Sequence, residues 1–245
     1  MRRRSGVPGE PEVSIVLPTF NERKALELLD PRIGRSLARF SSEVVVVDDS
    51  SPDGTGEFVR SRDGAPFRLI ERPGRLGLAS AVLEGFRAAR GRVIVVLDAD
   101  GSHPPEVIPS LVTPILDGRA EFVLASRKVA GGSAPGLVGW RRAVSFGGGL
   151  LARPLVHVLD PMSGFFALDR RILARAELAP IGYKIALEVL VRCRPRPVLE
   201  VPFTFGPRVA GESKLGSGQI GDYLRHLGRL YSFRIIGPRR ASSTR

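Results

Sequence analysis

One cysteine, Cys193, stands among 245 residues. That excludes an internal disulfide framework and fits a reducing compartment; its place near the end of a helix-like run reads as buried rather than nucleophilic. Aromatic residues make up only 7% of the chain. With no zinc-ligand spacing and no RNP-like aromatic signature, nucleic-acid binding has little besides charge to recommend it. No apolar run approaches the ~20 residues that span a bilayer. Residues 1–4 lead into no apolar stretch, so no signal peptide is expected. Acidic residues are the minority, 25 against 37 Lys and Arg, for a net charge of +12 and a sequence pI near 11.1. A field of that sign favours anionic partners: nucleic acid, phosphorylated substrates or an anionic membrane surface. Arg outnumbers Lys heavily, a bias that genomic base composition alone produces. Hydrophobic content of 43% and a mean hydropathy of +0.03 argue against disorder. The length suits one α/β domain with a sizeable core.

What is present is an alternation of strands and helices. Segments 13–17, 44–47, 67–70, 92–97, 121–125 and 198–201 read as strands. Helical runs lie over 22–40, 79–89, 106–116, 183–191 and 219–233, with Pro31 expected to break or kink the first of them. Such alternation predicts right-handed βαβ units and a mostly parallel sheet. Residues 1–12 read as a loose arm, 13–236 as one domain and 237–245 as a basic tail. Pro154 should interrupt any helix across 141–158. In 219–233, Ile220, Leu224, Leu227, Leu230 and Tyr231 form an apolar stripe, and Arg225, Arg229 and Arg234 lie elsewhere. That stripe fits core packing or a membrane-resting amphipathic helix.

The chemistry concentrates where strands end. Arg92-Val-Ile-Val-Val-Leu-Asp98-Ala-Asp100 is a buried-type strand running into two carboxylates one residue apart. Like charges this close need a counter-charge, most simply a divalent cation with oxygen ligands. The alternative is a pair of turn-forming or helix-capping Asp residues. Pro18-Thr-Phe-Asn-Glu22 follows the first strand and Asp48-Asp49 the second. Parallel strands place their carboxyl ends together, so these three loops converge on one cleft. Asp48 to Asp53 also fits a solvated Asx turn. His103, flanked by Pro104, suits a residue that fixes loop shape; Glu188, on a helical face, would orient a bound ligand or pair with a neighbouring cation.

Taken in order, Pro18-Thr-Phe-Asn-Glu22, Val47-Asp-Asp-Ser-Ser-Pro-Asp-Gly-Thr55, Leu76-Gly-Leu-Ala-Ser-Ala81 and Asp98-Ala-Asp-Gly-Ser-His-Pro104 resemble family 2 glycosyltransferases. The nearer likeness is to the dolichol-phosphate (polyprenyl-phosphate) mannosyltransferases. It continues through Ser126-Arg127, Arg141 and Ser145, Asp160-Pro-Met-Ser-Gly-Phe165, Pro180-Ile-Gly-Tyr-Lys184 and the stretch from Val201 to Leu215. The resemblance implies a GT-A fold, a Rossmann-like, mostly parallel sheet flanked by helices, with C-terminal amphipathic helices. It implies that Pro18, Phe20, Glu22, Val47 and Asp49 hold the nucleoside of GDP-mannose. Asp98, Ala99 and Asp100 would then meet the diphosphate and its Mg²⁺ or Mn²⁺, with Ser102 as a third metal position where some members carry Gln. Arg127, Arg208 and Lys214 would contact diphosphate or sugar, with Asp100 as the remaining catalytic position, and Arg141 with Ser145 would receive the acceptor phosphate.

A polyprenyl (dolichyl) phosphate has a second pKa near 6 and is largely dianionic at pH 7. It is already a nucleophile and needs no general base. Direct attack on the anomeric carbon would invert its configuration. UDP-glucose is the rival donor, since guanine and uracil both offer ring N–H groups to Asp49. The same resemblance places the protein peripherally on the cytoplasmic face of a membrane, met through 141–158 and 217–236 or through a separate transmembrane subunit.

Overall fold

Unbroken runs of valine and isoleucine build the centre of the molecule, because β-branched side chains pack well on a pleated surface covered from both sides. The computed structural model describes residues 10–62, 66–135, 137, 139–208 and 217–237. Most of the expected arm and tail lies outside them, although Glu12 is already tied in, its N–H donating to the Ser41 carbonyl at 2.7 Å. The elements are β1 (Val13–Thr19), α1 (Arg23–Leu37), β2 (Ser42–Asp48), α2 (Thr55–Arg60), β3 (Phe67–Glu71), α3 (Leu78–Ala88) and β4 (Val93–Val96). There follow α4 (Ile108–Leu116), β5 (Phe122–Ser126), α5 (Trp140–Ala152), β6 (Phe166–Asp169), α6 (Ile185–Arg192), β7 (Val198–Pro202) and α7 (Ser217–Ile236).

The strands form one seven-stranded sheet in the order β3-β2-β1-β4-β6-β5-β7. All neighbouring pairs are parallel except those of β6, which runs antiparallel to β4 and β5. Alternation along β1 feeds two cores. Val13, Ile15 and Leu17 pack with Leu26 and Ile33 of α1 and Leu111 and Ile115 of α4. Val16 faces the other side with Val82 and Phe86 of α3, Leu187 of α6 and Leu227 and Leu230 of α7. The sheet is thus a middle layer between helices. Chain order reverses between β1 and β4, the switch point at which open α/β sheets bind ligands beyond their strand ends.

Four details differ from the sequence reading. Helix α1 runs through Pro31; the ring lies on the exposed face, where solvent can take the place of the missing N–H. Strand β6 and helix α2 carry no periodic signal, being four and six residues long. The α7 stripe is divided rather than one-sided. Tyr223, Leu227 and Leu230 are buried, but Ile220 is 36% exposed and Leu224 52%, with Ile235 and Ile236 more exposed still. As expected, Cys193 is buried, which pushes its thiol up to about 11. Helix α5 ends before Pro154.

Helices α5 and α7 lie side by side. The Tyr223 hydroxyl donates to the Gly148 carbonyl at 2.6 Å and the Tyr231 hydroxyl to that of Leu151 at 2.7 Å. A Cβ at Gly148 would stand 2.9 Å from Met162 Cε and 3.2 Å from the Tyr223 ring, so the two helices approach closely at this glycine. Helix α7 is pinned to α6 by a buried cluster in which Glu188 meets Arg192 at 2.6 Å and His226 at 2.8 Å. Burial opposes the Glu188 charge, but hydrogen bonds from His226 and the Ala179 N–H, with the Arg192 charge, outweigh it and hold its pKa below the usual carboxylate range. Of the two roles open to Glu188, the structure assigns it the cation pair.

Candidate active site

The ends of β1 and β2 are locked to each other before any ligand arrives. Asp48, buried to 1% exposure, accepts from the Thr19 hydroxyl at 2.7 Å and from the N–H and hydroxyl of Ser51 at 2.8 and 2.6 Å. Asp53 accepts from the Thr55 N–H and hydroxyl and from the Arg23 N–H, tying the starts of α1 and α2 together. Asp48 and Asp53 are therefore the turn-builders that their spacing allowed. Asp49 instead reaches the cleft. Its carboxylate is ion-paired with buried Arg72 and accepts the Gly77 N–H at 2.8 Å, at the residue preceding α3. Phe20 stacks under the Arg75 guanidinium, 4.5 Å from ring centroid to Cζ.

The double carboxylate beyond β4 is built by two different devices. The Asp98 N–H donates to His103 Nδ1 at 2.9 Å, and the buried His103 ring stacks on Phe165 at 5.1 Å with Phe203 and Phe205 at its edges. Burial pushes the His103 pKa down. A neutral ring carrying its proton on Nε2 follows, and its work is to fix the loop, as its proline-flanked position suggested. Gly101, at φ +84°, then turns the chain so that Asp100 Oδ1 accepts the Ser102 N–H at 2.9 Å and hydroxyl at 2.6 Å. Asp100 Oδ2 meets Arg208 Nε at 2.9 Å. The side chain of Asp98 stays 38% exposed toward the cleft and that of Asp100 only 7%. The counter-charge that the pair needed is thus met at Asp100 by a guanidinium.

Two compartments meet here. A cleft of about 330 Å³ is lined by Pro18, Phe20, Glu22, Asp49, Ala99 and Asp100 among others. A cavity of about 140 Å³ beside it is lined by Arg127, Ser145 and Lys184 with His103 and Met162. Asp98, Tyr183, Arg208 and Leu78 belong to both and form the join. Most of the residues singled out from the sequence come together at this junction. Val47 does not line it: the side chain is fully buried with Val45 and Ala81 beneath the cleft. Lys214 and the side chain of Arg141 lie outside the described residues.

Arg127 is not a loose cation. Its Nε and Nη2 form a fork on Asp160 at 2.7 Å each, and its N–H donates to the same carboxylate at 3.0 Å. Burial raises the Asp160 pKa, but Arg127 outweighs burial and holds it below the ordinary range. The Lys184 ammonium lies on the far wall, donating to the Met162 carbonyl and resting 4.5 Å from the Tyr183 ring centroid. Burial, with Arg127 adding, lowers its pKa to about 7.

Asp160, Lys184 and Arg72 are site residues to which the sequence reading assigned no role. One signal was available for Lys184: only four residues of the chain are lysine, at 24, 128, 184 and 214. In a chain that otherwise uses arginine, a lysine retained in an apolar setting marks a position where a compact, titratable point charge suits better than a planar fork.

A parallel-sheet switch point that presents paired carboxylates to a nucleotide-sized cleft, joined to a cationic cavity, defines a glycosyltransferase of the GT-A fold. The family model described as "Glycosyl transferase family 2" matches residues 14–175, and the chain belongs to that family. It is 45% identical over 224 residues to a protein named dolichol-phosphate mannosyltransferase from Pyrococcus furiosus, covering 89% of this chain and 63% of that one. The chain thus spans less than two thirds of that relative's length. A protein of the same name from Mycosarcoma maydis is 40% identical over 255 residues, covering 96% of this chain and 86% of the other. Among solved structures, glucosyl-3-phosphoglycerate synthase from Mycobacterium tuberculosis with Mn²⁺, UDP and glucosyl-3-phosphoglycerate superposes with a TM-score of 0.66 at 26% identity. That match covers 95% of this chain and 82% of the synthase.

Proposed function

We propose that this glycosyltransferase moves mannose from GDP-mannose to a polyprenyl (dolichyl-type) phosphate, inverting the anomeric carbon, at a membrane surface. The observation that carries the reading is the junction of an acidic, nucleotide-sized cleft with a cavity whose polar wall is mainly cationic. A hydroxyl acceptor needs a general base at the reacting oxygen. Beside the cavity, Asp160 is committed to Arg127; within it the buried His103 spends Nδ1 on the Asp98 N–H, and the Asp98 carboxylate is taken by the proposed metal and diphosphate. A phosphate dianion needs charge compensation instead, and Arg127, Lys184 and Arg208 supply it. The relatives named dolichol-phosphate mannosyltransferase support the same acceptor and sugar.

On the donor side, Asp49 accepts a ring N–H of the base, Phe20 and Arg75 stack beside it, and the Asp98 end of the cleft takes the diphosphate. The exposed carboxylate of Asp98 and the neighbouring Asp100 are hard oxygen donors, too few for an all-protein cage. That suits Mg²⁺ or Mn²⁺ shared with substrate phosphates, and the Mn²⁺-bound synthase supports a divalent metal. Such an ion offsets the charge that grows on the departing nucleoside diphosphate. Ser102 donates its hydroxyl to Asp100, so its part is to orient that carboxylate, with metal contact only through its remaining lone pairs. Lys214 and Arg141 retain their proposed contacts with donor and acceptor phosphate, and Ser145 lines the acceptor side.

Among the described residues no helix is long and apolar enough to cross a membrane. The neighbouring α5 and α7 nonetheless expose Phe146 (67%), Leu150 (55%), Leu151 (50%) and Leu224, with basic Arg229 and Arg234 on α7. These helices, from the segments that the sequence marked as membrane-interface candidates, would rest on the lipid surface. The test is direct: supply GDP-mannose or UDP-glucose with Mg²⁺ and a short-chain polyprenyl phosphate, and extract the lipid. Mannolipid from GDP-mannose is expected; product from UDP-glucose alone would remove the mannose assignment.

A further inference from the structure

We infer that Lys184 is a ligand of the acceptor phosphate: its partly buried amine lines the cavity and faces a phosphate monoester dianion across the reacting carbon from the carboxylate cleft. The inference deepens the function proposed above and rests on it. Three observations converge on it. First, Lys184 lines the cavity and not the cleft, although its neighbour Tyr183 lines both. Direct displacement with inversion requires the nucleophile to approach opposite the leaving group. If the diphosphate sits at the Asp98–Asp100 end, the attacking oxygen must come from the cavity side of the join, where Lys184 stands.

Second, the amine has no carboxylate within ion-pair distance among the described residues. Its contacts are the Met162 carbonyl and the Tyr183 ring. The carboxylates that attract it from farther off are Asp160 and Asp98, and Asp160 is held by Arg127. A partly desolvated ammonium without an anion is held less favourably than in water, and an arriving anion offsets that cost. The other Lys and Arg side chains lining this cavity already face carboxylates: Arg127 has Asp160 and Arg208 has Asp100. Third, the Ser145 side of α5 borders the same cavity, and α5 carries the exposed apolar residues Phe146 and Leu150. A lipid whose head enters at Ser145 keeps its tail on that face.

The site also predicts a proton. The charged groups around the amine are Arg127, Asp160 and Asp98, with His103 and Arg208 on the same cavity wall. Burial and Arg127 lower the pKa of the amine in the empty site, and a seated dianion would raise it again, so binding draws in a proton.

The experiment uses the full chain at pH 8 with GDP and Mn²⁺ present and titrates citronellyl phosphate, a short phosphate monoester, by calorimetry in two buffers of different ionisation enthalpy. Lys184→Met removes the charge in a similar volume. Lys184→Gln keeps a donor for the Met162 carbonyl and serves if the first variant does not fold. Expected are binding with proton uptake by the native chain, at least tenfold weaker binding without uptake by either variant, and unchanged GDP affinity. Equal monoester affinity in native chain and variants, no monoester binding by the native chain, or GDP affinity falling in parallel would each overturn the assignment. Transfer assays separate the two levels. Lys184-dependent monoester binding without any mannolipid would sink the proposed reaction and leave the anion site standing. Mannolipid formed at an unchanged acceptor KM in both variants would do the reverse.

Discussion

The proposed donor and acceptor halves of this site are held together in opposite ways. At the ends of β2 and β4 three carboxylates are matched within the protein: Asp48 by Thr19 and Ser51, Asp49 by Arg72 and the Gly77 N–H, Asp100 by Ser102 and Arg208. Asp98 keeps a substantially open face toward the cleft. Across the join, Lys184 is half-buried with no carboxylate at ion-pair distance among the described residues, and α5 and α7 leave large apolar side chains uncovered. One half is preorganised; the other is completed by what binds it. Preorganisation suits a soluble nucleotide that must be recognised in dilute solution, because little ordering cost remains to be met on binding. An acceptor delivered at a lipid surface can bring its own charge and its own apolar cover.

The largest effect that should expose this contrast is on chemistry. Asp98→Asn keeps the shape of the open carboxylate and removes its charge. Transfer is expected to fall roughly a thousandfold, equivalent to about 4 kcal/mol, with Mn²⁺-dependent GDP binding weakened and monoester binding in the cavity retained. Rate measurements and calorimetry read the two halves separately. Monoester binding lost together with GDP binding would show that the halves are one site.

The next effect is on stability. The Arg127–Asp160 pair is the buried strut of the acceptor half, with side chains 9% and 0% exposed. Asp160→Asn leaves the guanidinium buried without its counter-charge, at a cost of about 3–5 kcal/mol, measured by urea unfolding. The sign with pH follows from the depressed Asp160 pKa. A carboxylate whose folded pKa lies below its unfolded value of about 3.9 stabilises the fold fully above that value. The contribution is lost as pH falls through the folded value. The gap between native chain and variant should therefore be constant near neutrality and close below about pH 4. A gap of the same size at pH 3 would remove the ion pair as its cause.

These halves were also unequally legible in the sequence. Donor loops follow their strands directly, so Pro18, Phe20, Glu22, Asp49, Asp98 and Asp100 could be placed at one sheet edge from strand order alone, and they line one cleft. The residues around the cavity come from five separated stretches, Arg127, Ser145, Asp160, Lys184 and Arg208, and the antiparallel strand β6 follows the Asp160 stretch. Four residues without alternation give no strand signal, and the helix pairing that brings Ser145 inward rests on a glycine contact at Gly148. Val47 was misplaced for a related reason. Motif position says which loop a residue adjoins, while the pleat decides which way its side chain points, and here it points into the core.

The smallest effect tests what covers the acceptor half. Burying Phe146 and Leu150 in lipid contributes up to about 1.5–3 kcal/mol per side chain, whereas a basic residue near an anionic surface contributes about 1 kcal/mol. Phe146→Ser with Leu150→Ser should therefore weaken flotation with anionic vesicles at least tenfold, at every salt concentration. Arg229→Gln should weaken it about fivefold at low salt and hardly at all at high salt, since exposed charges are screened beyond about 10 Å at 0.1 M. Arg225 makes the discrimination sharper. It lies on the same helix and is equally exposed by class, but it is already paired with Asp222 three residues back. Its charge is partly cancelled before any lipid is met, so Arg225→Gln should cost less than Arg229→Gln. If the order of the two arginines were reversed, or if the serine variant floated like the native chain, the exposed face of α5 and α7 would not be the surface on which the acceptor half rests.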